Sequence, residues 1–391
     1  MTRLTICIPT RNRQSYAIDA VRHMLASTRD DFEILVGDNS DDAAPLADFA
    51  AEMNDSRLRL LSPEPKPLSM KDNWERMPQH ARGEWVSFIG DDDYLDPELC
   101  EALRVTSDRV PNVDAFTWGR SYFVWPDARS SREITKIPTG SHLAHMEKKD
   151  LMRRMFFWEG AKDRPACPFG VYHGALKKDL MDRIRDAFSN CYFEHPNVDY
   201  DSNCKTVMMA DVCIYWERPL SVFGSCKASN SAGLRDAATG RERVRTFREE
   251  NDGELEAGDF PFPYELGLTA SAAQTIEWLK QRYGIELNGW EEGFISACAG
   301  DCESETDRAR FNARKAAYAA AIQAWGGAKA VKLFNPVYRH RADIPKFMGH
   351  AEGYLNFDMA IGDAQTAAEF YQLIDGMMFP VSLLESRLSE S

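Results

Sequence analysis

Trp85-Val86-Ser87-Phe88-Ile89-Gly90-Asp91-Asp92-Asp93-Tyr94 runs from a continuous apolar stretch into three consecutive acids. An apolar run this short and unbroken is a strand buried on both faces, the kind found inside parallel sheets. The acids then stand at its carboxyl end. Upstream the same arrangement repeats. Leu4 to Ile8 is a short apolar strand stopped by Pro9, after which Ala17, Val21, Met24 and Leu25 recur at helical spacing. Phe32 to Val36 is a second strand, ending in Gly37-Asp38-Asn39-Ser40-Asp41-Asp42. A helix over 45–53, a strand from Leu58 to Leu61 and a helix over 68–81, kinked or ended by Pro78, complete the alternation. This order predicts an α/β fold with a mixed, mainly parallel sheet flanked by helices. Ligands of such sheets bind beyond the carboxyl ends of the strands. The polar clusters 9–13, 37–42 and 90–93 all fall at such ends.

Farther on, strands at Ala115 to Trp118, Cys213 to Tyr215 and Leu220 to Phe223 mix with helices over 178–188 and 201–209. From Gly224 to about Asp259 the chain is polar, charged and glycine-containing, a loop and then a linker. The remainder has helical patterning over 266–283, 290–299, 305–325 and 364–377. Three parts are expected: 1–235, a linker 236–262, and a mostly α-helical C-terminal domain 263–391. Ala309, Ala316, Ala317, Ala320, Ala321 and Ala324 make a small-residue face suited to close helix packing or to contact between copies in a homo-oligomer.

At 391 residues two domains are the natural expectation. The chain is 44% hydrophobic and 28% charged, enough apolar material for a sizeable core. Its 47 Lys and Arg against 61 Asp and Glu leave a charge of −14, which argues against binding a nucleic acid backbone. One nucleoside diphosphate is still compatible, because a divalent cation can supply local positive charge. The nine cysteines form no CxxC pair, and Cys298 and Cys302 lack the partners of a zinc site. No signal-peptide pattern and no run of about 18 apolar residues occurs, so a cytoplasmic protein without a transmembrane segment is expected.

Three adjacent carboxylates repel one another unless something cationic sits among them. Mn²⁺ or Mg²⁺, held by one or two carboxylates and phosphate oxygens, would do this. Capping of the next helix does not explain the trio, since Asp96 and Pro97 already supply that start signal. Gly37-Asp38-Asn39-Ser40 reads either as an Asx turn or as a carboxylate that accepts from a ribose hydroxyl or base N–H. Pro9, Thr10, Arg11, Asn12 and Arg13 open the first helix, where free N–H groups favour anions. The segment has neither the glycines of a dinucleotide site nor a P-loop. Lys71 is either a counter-charge for phosphate or a surface lysine, and His173 either contacts substrate or is structural. Residues 224–233 have the composition of a closing lid, with Lys227 or Ser229 reaching a diphosphate, or of a plain connector.

The series LTICIPTRNR, EILVGDNSDD and KDNWERMPQHARGEWVSFIGDDDYLDPE resembles the nucleotide-sugar-binding half of family 2 glycosyltransferases with the GT-A fold. The resemblance covers residues 2–105 well and extends more loosely to about 233. It implies an inverting transferase that moves sugar from a nucleotide diphosphate-sugar to a glycan or glycolipid acceptor. In that family Pro9, Arg11 and Asp38 would line the nucleotide pocket. Asp91 and Asp93 would form the Asp-x-Asp motif, with Asp93 the direct metal ligand and Asp91 or Asp92 nearer the ribose. The general base would be Asp199 or Asp201, with Asp199 favoured. The setting implied is surface polysaccharide or lipid-linked oligosaccharide synthesis, with peripheral contact at the inner face of the membrane. A sugar nucleotidyltransferase is the second enzyme class considered, but it opens with a glycine-rich loop where this chain has 9–13. A degenerate glycan-binding or scaffold domain is the non-enzyme alternative.

Overall fold

The computed structural model describes residues 2–129, 132–229, 245, 249–251, 257–339 and 347–390. The strands are β1 Leu4–Thr10, β2 Phe32–Asp38, β3 Leu58–Leu61, β4 Trp85–Phe88, β5 Tyr94–Leu95, β6 Val113–Val124, β7 Ile134–Pro138, β8 Leu143–Met146, β9 Gly174–Lys177, β10 Val212–Ser225, β11 Gly349–Ala351 and β12 Tyr354–Asp358. The helices are α1 Gln14–Leu25, α2 Ala44–Met53, α3 Met70–Glu75, α4 Leu99–Arg109, α5 Lys148–Phe156, α6 Lys178–Ala187, α7 Val198–Met209, α8 Leu268–Tyr283, α9 Glu291–Ser304, α10 Arg308–Val331, α11 Ala367–Asp375 and α12 Leu383–Glu390.

Nine strands form one sheet in the order β3-β2-β1-β4-β9-β6-β10-β5, with β8 beside β10. The first four are mutually parallel, as is β6 with β10. β9 lies antiparallel between β4 and β6, and β5 and β8 run against β10. The expected mixed, mainly parallel sheet flanked by helices is present. The two strands read at Cys213 to Tyr215 and Leu220 to Phe223 are one strand, β10, whose register shifts around Pro219. A proline has no N–H to give to the ladder, so the strand bulges there instead of ending.

Alternation along β1 sorts its side chains onto two faces: Leu4, Ile6 and Ile8 join one apolar core, Cys7 the other. Helices α5 to α10 pack on the Cys7 face. α1, α2 and α4 pack on the opposite face together with α11 and α12. The residues after 263 therefore cover both faces of the sheet, and they are not all helical. β12 pairs with β7 and β11 in a separate three-stranded sheet.

Two helix boundaries differ from expectation with consequences for the site. The helix expected over 68–81 is only α3, Met70–Glu75, followed by a single 3₁₀ turn at Pro78–His80. α7 begins at Val198, three residues early, so Asp199 and Asp201 both lie in its first turn.

Where β6 crosses β10 the backbones approach so closely that a Cβ on Gly119 would sit 1.8 Å from the Glu217 carbonyl oxygen. Gly119→Ala should therefore cost about 1–3 kcal/mol, seen as a lower melting temperature in a thermal unfolding scan. An unchanged melting temperature would mean that the two strands can separate freely.

Candidate active site

The carboxyl ends of β2, β1 and β4 lie side by side, which brings the three polar clusters together. Thr10 pairs in register with Asp38, and the Asn39 N–H donates to the Thr10 carbonyl at 2.9 Å. Asn12 stitches the first two clusters: its N–H donates to Ser40 Oγ at 2.8 Å, and its side chain both donates to and accepts from Asp41. Asn12 adopts φ 57°, a left-handed conformation that Asn tolerates better than most residues.

The acid trio is buried, and the protein itself supplies it with one cation, Arg13, and a set of hydrogen-bond donors. Asp91 Oδ2 accepts from Thr10 Oγ1 at 2.7 Å and Arg13 Nε at 3.0 Å, while Arg13 Nη2 lies 2.7 Å from Oδ1. Asp93 Oδ2 accepts from the Gly90 N–H, the Tyr172 hydroxyl and His173 Nε2, at 2.6, 2.8 and 2.8 Å. Its Oδ1 accepts from the Gly224 N–H at 2.7 Å. His173 is fully buried, and its Nδ1 lies 2.8 Å from Ser221 Oγ, which also accepts from Trp118 Nε1. With its hydroxyl proton turned to Nδ1, Ser221 leaves the imidazole proton on Nε2, facing Asp93. Glycine is required beside these contacts: a Cβ on Gly224 would lie 1.6 Å from the Asp92 carbonyl oxygen.

Burial raises Asp91 to about 7, with the Arg13 guanidinium opposing and Asp92 adding to the rise. Asp92 is raised by burial and by Asp93. Burial pushes Asp93 up too, but His173, the Gly224 N–H and Tyr172 outweigh it and hold the carboxyl below its usual value. Burial draws His173 below its usual value against the pull of Asp93. The pair is thus a neutral imidazole donating to a carboxylate.

These contacts decide how a divalent cation would fit. Asp93 was expected as its direct ligand, but four donors already occupy its two oxygens, so it does not fit that role. Asp91 does not fit either, because Arg13 and Thr10 hold its carboxylate. Asp92 differs. Its Oδ2 accepts from the Cys226 N–H at 3.1 Å, but its Oδ1 makes no hydrogen bond among the described residues and lies 3.9 Å from Arg13 Nη1. That single oxygen fits a cation that takes its other ligands from a diphosphate and water.

Of the residues expected at the nucleotide, Pro9 and Thr10 end β1 and are buried. Asp38 is buried, and its Oδ1 accepts from the Ser40 N–H at 3.0 Å. Its Oδ2 makes no hydrogen bond among the described residues. The Asx turn and the open acceptor are therefore both present at Asp38. Arg11 pairs with Glu250 at 2.7 Å, and Lys71 lies 3.6 Å from its neighbour Asp72. Neither of these two reaches the acid trio. In the expected lid, Gly224 and Cys226 bind the trio through their N–H groups, Lys227 N–H donates to Asp127, and Ser229 Oγ donates to the Cys226 carbonyl. Residues 230–233 lie outside the described residues.

Asp199 and Asp201 are two residues apart with opposite surroundings. Asp201 is fully buried, and its Oδ2 accepts from the Glu194 and His195 N–H groups and from Lys205 Nζ. Lys205, also fully buried, lies 3.1 Å from Glu194. Asp201 Oδ2 thus caps the preceding segment, while its Oδ1 is buried without a hydrogen bond among the described residues. Asp199 is half-buried, and its carboxylate has no hydrogen bond or ion pair among the described residues. Burial raises it to about 6, with Arg120 opposing and Asp93 adding to the rise. One turn on in α7, Ser202 Oγ accepts from the Val171 N–H at 3.0 Å, which sets the start of this helix beside Tyr172 and His173, the partners of Asp93.

The residues not foreseen are Arg13, Tyr172, Arg120, Trp125 and Cys226. Arg13 stood inside the 9–13 cluster, where a basic residue at the helix start was a usable signal. The others lie some 30 to 130 residues from the trio in sequence and carry no local pattern. Trp125 Nε1 donates to the Asp92 carbonyl at 2.8 Å.

The sequence matches the model of Glycosyl transferase family 2 over residues 5–167. Among curated proteins, "Putative glycosyltransferase EpsH" of Bacillus subtilis (strain 168) is 31% identical over 113 residues, 28% of this chain and 32% of that protein. The chain thus spans about a third of the length of the curated relative it matches. S. aureus TarS 1–349 in complex with UDP-GlcNAc shares 14% identity at a TM-score of 0.46, over 85% of this chain and 89% of that one. The mannosyltransferase PcManGT from Pyrobaculum calidifontis, in complex with GDP-Man and Mn²⁺, shares 14% identity at a TM-score of 0.39, over 83% and 88%. No helix among the described residues is long and apolar enough to cross a membrane. The stretch that matches glycosyl transferase family 2, residues 5–167, holds the 9–13, 37–42 and 90–93 clusters.

Proposed function

We propose that this chain is an inverting glycosyltransferase, moving a sugar from a nucleotide diphosphate-sugar to a hydroxyl of a glycan acceptor. The observation that carries this is Asp199: a half-buried carboxylate with no partner among the described residues, beside a cluster whose other acids are almost wholly occupied. Raised to about 6, Asp199 is ionised at neutral pH yet basic enough to take a proton. The acceptor oxygen attacks the anomeric carbon and the bond to the diphosphate breaks. The hydroxyl proton passes to Asp199, and the nucleoside diphosphate leaves.

On the donor side, Asp38 Oδ2 is placed to accept from a ribose hydroxyl or base N–H, and the 9–13 segment to face the phosphates. Asp92 Oδ1 is the position for Mn²⁺ or Mg²⁺, which when bound would act as a Lewis acid on the leaving diphosphate. Residues 1–235 form the catalytic part in this proposal. The helices of 263–391 support it: Tyr283 and Arg282 of α8 bind Glu194, and Asn197 Nδ2 donates to Ser271 and Thr275 of α8. The loop leading into Asp199 is thereby fixed. The acceptor we propose is a growing surface polysaccharide or lipid-linked oligosaccharide, met at the inner face of the membrane.

A thermal-shift panel of UDP, GDP, dTDP and ADP, each with and without Mn²⁺, tests the donor side. One nucleotide should raise the melting temperature, more so with metal, and Asp92→Ala should remove the metal-dependent part. No shift with any nucleotide would favour a scaffold.

Turnover should fall about 10²–10⁴-fold in Asp199→Asn, and in the wild type it should decline as the pH drops through about 6. A raised carboxyl stabilises the fold below its unfolded value and loses that contribution as the pH rises through about 6. Asp199→Asn should therefore melt higher than wild type at pH 8 and level with it at pH 4. Full activity in Asp199→Asn would remove it as the base.

Asp201→Ala strips a buried cation of one partner and should cost about 3–5 kcal/mol. Equilibrium denaturation reads this. A loss of activity in Asp201→Ala with stability intact would instead return Asp201 to the chemistry.

A further inference from the structure

Among the described residues at the site, nearly every charged group has a close partner: Asp91 and Asp92 with Arg13, Asp93 with His173, Asp201 with Lys205. Two do not. One is Asp199. The other is Arg120 on β6, a half-buried guanidinium that makes no hydrogen bond or ion pair among the described residues. It lies over the Phe223 ring, 5.0 Å from guanidinium carbon to centroid. Phe223 in turn stacks on His173 at 3.5 Å, so Arg120 lies over the group that fixes Asp93. Arg120 is also the cation that opposes the rise of Asp199. The base and the arginine are thus within electrostatic reach yet not in contact, in a site where other opposite charges touch.

Two residues beyond Arg120 on the same strand face is Tyr122, 50% exposed and stacked on Phe223 at 5.4 Å. An exposed flat ring beside an open guanidinium offers an apolar surface and a planar donor fork together. Arg164, within electrostatic reach of Tyr122 and Tyr200, is paired with Asp163 at 3.5 Å, which leaves Arg120 as the open guanidinium here. Neither arginine is on the strand ends that face the donor, which end in the 9–13, 37–42 and 90–93 clusters.

We propose that Arg120 and Tyr122 form an acceptor subsite for an anionic sugar, a saccharide that carries a carboxylate or phosphate near the hydroxyl presented to Asp199. The anion docks on Arg120, the sugar face lies on Tyr122, and the attacking hydroxyl fills the gap towards Asp199. This rests on Asp199 as the base and adds the chemical class of the acceptor.

Saturation-transfer NMR tests it with four probes, glucuronate, glucose 6-phosphate, glycerol phosphate and glucose, each with and without the nucleoside diphosphates. The wild type should bind an anionic saccharide at least about tenfold more tightly than glucose. Arg120→Gln should remove that preference, and Arg120→Lys should keep part of it. Glucuronate and glucose 6-phosphate distinguish carboxylate from phosphate, and glycerol phosphate shows whether the ring is needed. Glucose binding as tightly as both anionic sugars overturns the proposal, in wild type alone and without any variant. A tenfold weaker nucleoside diphosphate in Arg120→Gln overturns it too, because the arginine would then serve the donor. If no nucleotide binds, the transferase assignment fails while the anion comparison still reads out on its own.

Discussion

The site depends on how the Asp93 carboxylate is satisfied. Burying three successive acids at one strand end is untenable without compensation. Asp93 meets this with four donors drawn from distant parts of the chain: its own turn, the segment before β9, and the end of β10. One carboxylate thereby ties β4 to the loop before β9 and to β10. The His173 contact reaches farther, through Ser221 to Trp118, so β6 is held in the same network. With Asp93 committed to structure and Asp91 to Arg13, one oxygen of Asp92 is left open. Charge that reads in sequence as a ready-made metal centre is largely spent on holding the strand ends together.

Asp199 and Asp201 show how position within one helical turn separates structure from chemistry. Two residues along a helix turn a side chain by about 200°, to nearly opposite sides. Asp201 turns inward, where its Oδ2 accepts from Lys205 and the preceding N–H groups. Asp199 turns the other way, where burial without a partner raises its carboxyl to about 6. An unpartnered carboxylate of this kind destabilises the fold, and its retention is intelligible as the cost of a poised base.

Much of this was legible in the sequence. Short apolar runs located β1, β2 and β4 and period-3.6 patterning α1, and the rule that ligands sit at the carboxyl ends of parallel strands brought the three polar clusters together. Local patterning could not supply the partners. Nothing around Asp91 announces Arg13, 78 residues earlier, or around Asp93 His173, 80 residues later. The need for a cation among the acids was sound electrostatics; which cation fills it is a tertiary fact. β10 was read as two strands because Pro219 interrupts the pattern, although the bulge carries the strand through. Patterning after residue 263 gave helices but not their docking, since an amphipathic face does not say which side of the sheet it covers.

The central claim is that the acid trio is held from within the chain, by Arg13 and by the donors on Asp93. Its most direct test is the melting temperature of the nucleotide-free protein in EDTA and in millimolar Mn²⁺. The account predicts values equal to within about 1 °C, because a lone Asp92 oxygen binds a cation weakly until a diphosphate completes its ligands. A rise of about 5 °C or more with Mn²⁺ alone would contradict it, showing that the three carboxylates await a metal rather than Arg13 and His173.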